Sequence, residues 1–123
     1  MMNLTSESNL VYVQYSAGNE LDYVQTFNEL ICHPKLINNL QKLWTVPKPL
    51  ASAVLPFGFG GKDMIIEAKD GSGKTSCFTT LAANIVHKNN NLKRGAVVIL
   101  TPKAEDVYKI QKIVEALIDF PVL

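Results

Sequence analysis

With 123 residues, 47% of them hydrophobic and 19% charged, the chain has room for one domain at most and carries too much apolar surface to remain disordered. A formal net charge of +1 excludes a global field for steering nucleic acid, so any such binding must come from a local patch. Two cysteines, Cys32 and Cys77, lie far apart without C-x-x-C spacing, which favours free buried thiols in a reducing compartment over a disulfide or a metal site. A cytoplasmic or nuclear location is therefore expected, with no membrane partner, since no basic leader precedes an apolar run and no apolar stretch is long enough to cross a bilayer.

Residues 1–9 are polar and read as a frayed end, after which Val11, Val13 and Tyr15 alternate with Tyr12 and Gln14 as in a strand. Ser16-Ala17-Gly18-Asn19 reads as a turn, and Leu21 to Phe27 as a second strand or an extended lead-in. From Pro34 the period becomes helical: Leu36, Ile37, Leu40, Leu43 and Trp44 share one face, and proline suits the first helical position, where its missing N–H would be unpaired anyway. The prolines of Thr45-Val46-Pro47-Lys48-Pro49 force an extended path, and a short helical turn from Leu50 to Leu55 follows. Phe57-Gly58-Phe59-Gly60-Gly61 reads as a flexible connection. Its phenylalanines are expected to tuck under the turn rather than to form a base-stacking platform.

Asp63 to Thr80, DMIIEAKDGSGKTSCFTT, joins an apolar β-type run, a glycine-rich turn and a helix start. The turn, Ala68-Lys69-Asp70-Gly71-Ser72-Gly73-Lys74-Thr75, has the composition of a phosphate-binding loop. Gly71 and Gly73 let the backbone bend until successive N–H groups point inward, where an anion would also meet the positive end of the following helix. Lys74 would reach the β and γ phosphates, and the Thr75 hydroxyl would hold Mg²⁺. The pattern G-x-x-x-x-G-K-[ST] departs only at its first position, Ala68. The alternative is a glycine turn with no ligand. Cys77, Phe78, Leu81, Ala82 and Ile85 continue at helical spacing.

His87 to Arg94 reads as a solvated loop, with a nucleic-acid patch at Lys88, Lys93 and Arg94 as the lesser reading. Gly95-Ala96-Val97-Val98-Ile99-Leu100 is nearly all apolar and rich in β-branched residues, as a parallel strand covered on both faces should be. Thr101-Pro102 stops it. Ala104 to Phe120 places Val107, Ile110, Ile113, Val114, Leu117 and Ile118 at helical spacing, an amphipathic helix of about four turns with Asp119 at its end. Strand, helix, strand, helix implies an α/β fold with parallel strands flanked by helices.

Three stretches in this order resemble the DEAD-box RNA helicases, over roughly residues 27–118. The family's upstream aromatic and its G-F-x-x-P-T-P-I-Q motif are similar to Phe27 and to Leu43-Trp44-Thr45-Val46-Pro47-Lys48-Pro49-Leu50-Ala51. Its A-x-T-G-x-G-K-T resembles residues 68–75, and its h-h-h-x-P-T-R-E-L-A resembles Val98-Ile99-Leu100-Thr101-Pro102-Lys103-Ala104-Glu105-Asp106-Val107. The resemblance implies a partial RecA-like P-loop NTPase domain at 26–123 behind an N-terminal extension at 1–25. It implies ATP and Mg²⁺ as cofactors, with Ala68 to Thr75, Trp44, Phe27 and Pro49 around the nucleotide. It also implies RNA, and not DNA, as a partner, met by Pro102 and Lys103.

Several substitutions within these motifs have chemical consequences. Ala51 stands for the glutamine that reads adenine, so base selectivity should fall. Lys48 stands for a small hydroxyl residue, and loss of the hydrogen bond tethering that segment to the phosphate loop is expected. Asp70 stands for a threonine and sets a carboxylate beside a polyanion, which should weaken binding. Lys103 and Ala104 replace an RNA-contacting threonine and arginine, and lysine lacks arginine's fork. Residues 1–123 contain no D-E-A-D, no S-A-T and no second RecA-like domain, so ATP hydrolysis or RNA unwinding by this chain alone is not expected. The leading expectation is a divergent or truncated helicase domain that holds a nucleotide. The alternative is a catalytically inactive RecA-like interaction module in an RNA–protein assembly, of the kind found among Tudor-linked relatives in small-RNA pathways. A different P-loop enzyme is disfavoured by the proline motif at 47–49.

Overall fold

The computed structural model of the chain describes residues 2–5, 10–13, 23–89, 97–119 and 122. An antiparallel hairpin, β1 (Met2–Thr5) with β2 (Leu10–Val13), pairs Met2 with Val13. Four helices follow: α1 (Pro34–Leu43), α2 (Pro49–Phe59), α3 (Lys74–Lys88) and α4 (Ala104–Ile118). The expected frayed end at 1–9 therefore contains a strand. The sequence does not mark it because a hairpin takes its hydrogen bonds from the backbone and needs a partner of matching register. The expected turn at 16–19, Tyr15 and the polar loop from Asn90 to Arg94 lie outside the described residues.

Helix α1 matches its apolar pattern, with Leu36 and Leu40 completely buried and Pro34 at its first position. Tyr23 and Val24 belong to no helix or strand, and Phe27 opens a single 3₁₀ turn, Phe27–Glu29. The larger difference is α2, which runs through Pro56 and on to Phe59 instead of stopping at Leu55. A proline inside a helix normally costs stability because it leaves the carbonyl four residues earlier without its donor. Here that carbonyl belongs to Ser52, and the Val24 N–H donates to it at 3.2 Å. The segment before α1 thus repairs the bond that Pro56 removes, and the supposed loop 57–59 is helical. Phe59 is buried, and a Cβ on Gly58 would run into the Leu81 side chain, so glycine lets α2 approach α3 closely.

Helix α3 packs against α2 on one side and α4 on the other, and α4 also meets α1. Leu36, Leu40, Leu55, Cys77 and Leu117 form the driest part of the core. Burial pushes the Cys77 thiol up to about 12 and the Cys32 thiol to about 11, the latter partly offset by Lys88. Both are free protonated thiols at neutral pH.

The two segments expected to be parallel strands behave differently. Residues 62–69 and 97–101 run between helices without joining a sheet among the described residues. Ile65 is 99% exposed, Val98 75% and Leu100 90%. A shallow apolar groove lies between the 97–100 segment and Phe78, Leu81 and Ile85 of α3. The physical reason is that a parallel strand needs a neighbour to receive its slanted N–H and C=O groups, whereas a helix satisfies its own. No helix among the described residues is long and apolar enough to cross a membrane.

Candidate phosphate-binding site

The loop 68–73 ends at the first residue of α3, and its conformation follows from its glycines. Gly71 and Gly73 have φ of +84° and +97°, in the left-handed region that side chains with a Cβ resist. Gly73 is the residue preceding α3, and the first helical bond runs from the Cys77 N–H to the Gly73 carbonyl at 3.1 Å. The N–H groups of Lys74, Thr75 and Ser76 therefore lie ahead of that first bond, at the positive end of a helix of 15 residues. The turn is braced from within: the Ser72 N–H donates to the Lys69 carbonyl at 3.2 Å, and the Ser72 hydroxyl donates to the same oxygen.

The Lys74 ammonium donates to the Ala68 carbonyl at 2.6 Å and stands 3.7 Å from Oδ1 of Asp70, a fully exposed carboxylate. The lysine is thus folded back over its own loop. Thr75 is exposed at the helix start, and its carbonyl accepts from the Thr79 hydroxyl at 2.6 Å. A second lysine reaches the loop from the proline segment. Lys48, the residue preceding α2, donates from Nζ to the Gly71 carbonyl at 3.1 Å. The expected loss of the tether between that segment and the loop is therefore corrected, since a longer side chain makes the connection from the same position. Sequence reasoning missed this because it compared functional groups and not reach; the signal was a long cation held between Pro47 and Pro49.

The remaining expected residues are distributed unevenly. Pro49 is half-buried at the first position of α2, next in sequence to Lys48. Phe27 is 3% exposed, inside the core, and presents no open face for a base. Trp44 ends α1 half-buried against the core. Ala51 is buried in α2. Pro102 and Lys103 are exposed immediately before α4, on an element other than the loop.

At the far end of α4, Asp119 adopts φ +64° as the residue that ends the helix, in agreement with its reading as a helix-end aspartate. The Asn39 amide donates at 2.9 Å to both the Leu117 carbonyl and the Asp119 carboxylate, and Lys35 lies 3.8 Å from that carboxylate. The Asn39 hydrogen bond, followed by Lys35, Lys42 and His87, holds Asp119 below the usual carboxylate range. His87 Nε2 lies 2.8 Å from the same Leu117 carbonyl, and its ring stacks on His33 at 5.4 Å. This cluster ties α1, α3 and α4 together.

The residues of the loop suit a nucleoside polyphosphate with Mg²⁺: left-handed glycines, helix-start amides, a lysine and a threonine hydroxyl. Comparison with known proteins identifies a family. The family model described as DEAD/DEAH box helicase matches residues 48–122. The chain is 36% identical over 83 residues to "ATP-dependent RNA helicase DRS1" of Kluyveromyces lactis, covering 66% of this chain and 11% of that protein. It is 31% identical over 97 residues to "Probable ATP-dependent RNA helicase ddx27" of Dictyostelium discoideum, covering 77% and 12%. It is 34% identical over 94 residues to "ATP-dependent rRNA helicase RRP3" of Debaryomyces hansenii, covering 76% and 19%. The matched region spans less than a fifth of each of these relatives.

Proposed function

Because the chain belongs to the DEAD/DEAH box helicase family, whose domain is RecA-like, we propose that residues 26–123 form part of such a domain and hold a nucleoside triphosphate with Mg²⁺ at 68–75. Residues 1–25 are then an extension ahead of that domain. The observation that supports this best is the Gly71–Thr75 turn, with two left-handed glycines leading into the positive end of α3 beside the Lys74 ammonium. Lys74 would leave the Ala68 carbonyl for the phosphates, and Thr75 would take the metal. Bound Mg²⁺ would supply charge neutralisation between phosphate oxygens. Residues 62–69 and 97–101 are strand segments whose parallel pairing requires further strands of the same sheet.

ATP binding without turnover is the expected behaviour of residues 1–123 by themselves, because they contain no D-E-A-D acid pair and no arginine finger. RNA, the substrate in the relatives' names, would meet the exposed Pro102 and Lys103 by phosphate contact. A protein of this kind works in the cytoplasm or nucleus. The second reading is a RecA-like interaction module in a ribonucleoprotein assembly such as the Tudor-linked small-RNA machinery; it is favoured by the exposed Val98 and Leu100 beside the apolar groove against α3, since an open apolar surface is a docking signature. Titration of a fluorescent ATP analogue with Mg²⁺ into wild type and Lys74→Ala separates the two. Binding at least about tenfold weaker in the variant supports the nucleotide site, and equal affinity in both proteins removes it.

A further inference from the structure

Lys48 touches the phosphate loop at both of its strained residues. Its ammonium donates to the Gly71 carbonyl at 3.1 Å, and its stem lies so close over Gly73 that a Cβ there would come within 3.2 Å of the lysine Cδ. The flanking prolines aim it. Pro49 biases Lys48 towards extended backbone, observed at φ −67° and ψ 160°, and Pro47 is buried, so the lysine leaves an anchored segment in one direction.

The charge itself is misplaced for α2. A cation immediately before a helix faces its positive end, where it is electrostatically unfavourable. For the loop the sign is favourable. Asp70 is an exposed carboxylate next to Gly71, and among the described residues Lys74 is the cation within ion-pair distance of it. An arriving polyphosphate that draws Lys74 away would leave Asp70 facing that anion, with the Lys48 ammonium held on the carbonyl of the neighbouring Gly71.

We infer that Lys48 is a positioning residue for polyphosphate binding: it fixes the Gly71–Gly73 turn and supplies the positive charge that offsets Asp70 when a nucleotide occupies the loop. This rests on the phosphate-binding reading of 68–75 and adds a residue outside the loop pattern. Lysine's three donors allow it to keep Gly71 while turning another N–H toward an anion.

The test uses the full chain, with Mg²⁺ and a fluorescent ATP analogue, in wild type, Lys74→Ala, Lys48→Met and Lys48→Arg. Methionine keeps the stem over Gly73 and removes the charge; arginine keeps the charge. Lys48→Met should bind at least about fivefold more weakly, while Lys48→Arg stays within about twofold of wild type. The loss in Lys48→Met should shrink in high salt and in an Asp70→Thr background, a dependence that a purely structural role would not produce. The unliganded melting temperature of Lys48→Met should stay within about 2 °C of wild type, showing that the fold is intact. If wild type binds, Lys74→Ala does not, and Lys48→Met binds like wild type, the role of Lys48 is overturned while the site stands. A Lys48→Met loss that is indifferent to salt and to Asp70 likewise overturns the charge role. If wild type and Lys74→Ala bind equally or not at all, the site itself is wrong and the role of Lys48 falls with it.

Discussion

The helical layer and the segments 62–69 and 97–101 both carry large apolar side chains, yet several of these end in opposite environments. In the helices Leu36, Leu40, Leu55 and Leu117 lose nearly all contact with solvent, whereas Ile65, Val98 and Leu100 keep most of theirs. A helix closes its backbone hydrogen bonds within one segment and needs only a packing partner for its apolar stripe. An extended segment offers half of its backbone groups outward and stays open until another strand arrives. Hydrophobicity thus marks a segment for burial, but pairing decides whether the burial happens within these residues.

The largest effect that sharpens this comparison is Leu117→Ala, which should destabilise the chain by about 2–5 kcal/mol through a cavity between α4 and its neighbours. Urea unfolding of Leu117→Ala beside Ile65→Thr and Val98→Thr is the measurement. The last two should lie within about 0.5 kcal/mol of wild type, because solvent already reaches those side chains. Comparable losses at Ile65 and Leu117 would break the distinction between the regions.

The next effect concerns the cluster that closes α1 on α4. Asn39→Ala takes its amide donor from the buried Leu117 carbonyl, a loss of about 1–3 kcal/mol at neutral pH, and also removes the bond to Asp119. Asp119 has a lowered folded pKa, so its contribution is present above the ordinary value of 3.8 and disappears as pH falls through the lower folded value. Stability measured against pH should therefore fall less steeply below the ordinary value of 3.8 in Asn39→Ala than in wild type. An identical acid slope in the two proteins would show that Asn39 does not set the Asp119 equilibrium.

A smaller effect is expected at the loop. Asp70→Thr should tighten nucleotide binding by less than about tenfold, since the carboxylate is fully exposed and screened. It should yield no ATP hydrolysis above Lys74→Ala. Unchanged affinity would mean that Asp70 does not face the phosphates, and turnover by the wild-type chain would mean that residues 1–123 carry a complete catalytic set. Competition between ATP and GTP should show less than about tenfold preference, because Ala51 has no group with which to read the base.

Helices α1, α3 and α4 were legible because their apolar residues recur at three and four positions and their packing partners lie within the chain. The loop at 68–75 was legible because glycine–lysine spacing encodes a local backbone shape. Three features were not, each for a nonlocal reason. Helix α2 survives Pro56 only because Val24, a residue far away in sequence, donates to Ser52. The Asn39–Asp119 bond joins residues 80 positions apart. Lys48 replaces a short hydroxyl by reaching further to the same loop, a change of geometry that a comparison of functional groups does not show. The strands expected at 62–69 and 97–101 are not formed among the described residues, because pairing is a property of two segments and a single apolar run contains only one.

The phosphate cradle is tested most directly by recording backbone amide resonances of the ¹⁵N-labelled chain during addition of Mg²⁺-ATP. The N–H groups of Gly71, Ser72, Gly73, Lys74 and Thr75 should shift together and saturably, while those of α4 remain in place, and the same addition to Lys74→Ala should move them far less. No shifts in wild type, or shifts centred on α4 or the hairpin with the loop unmoved, would contradict a nucleotide site at 68–75.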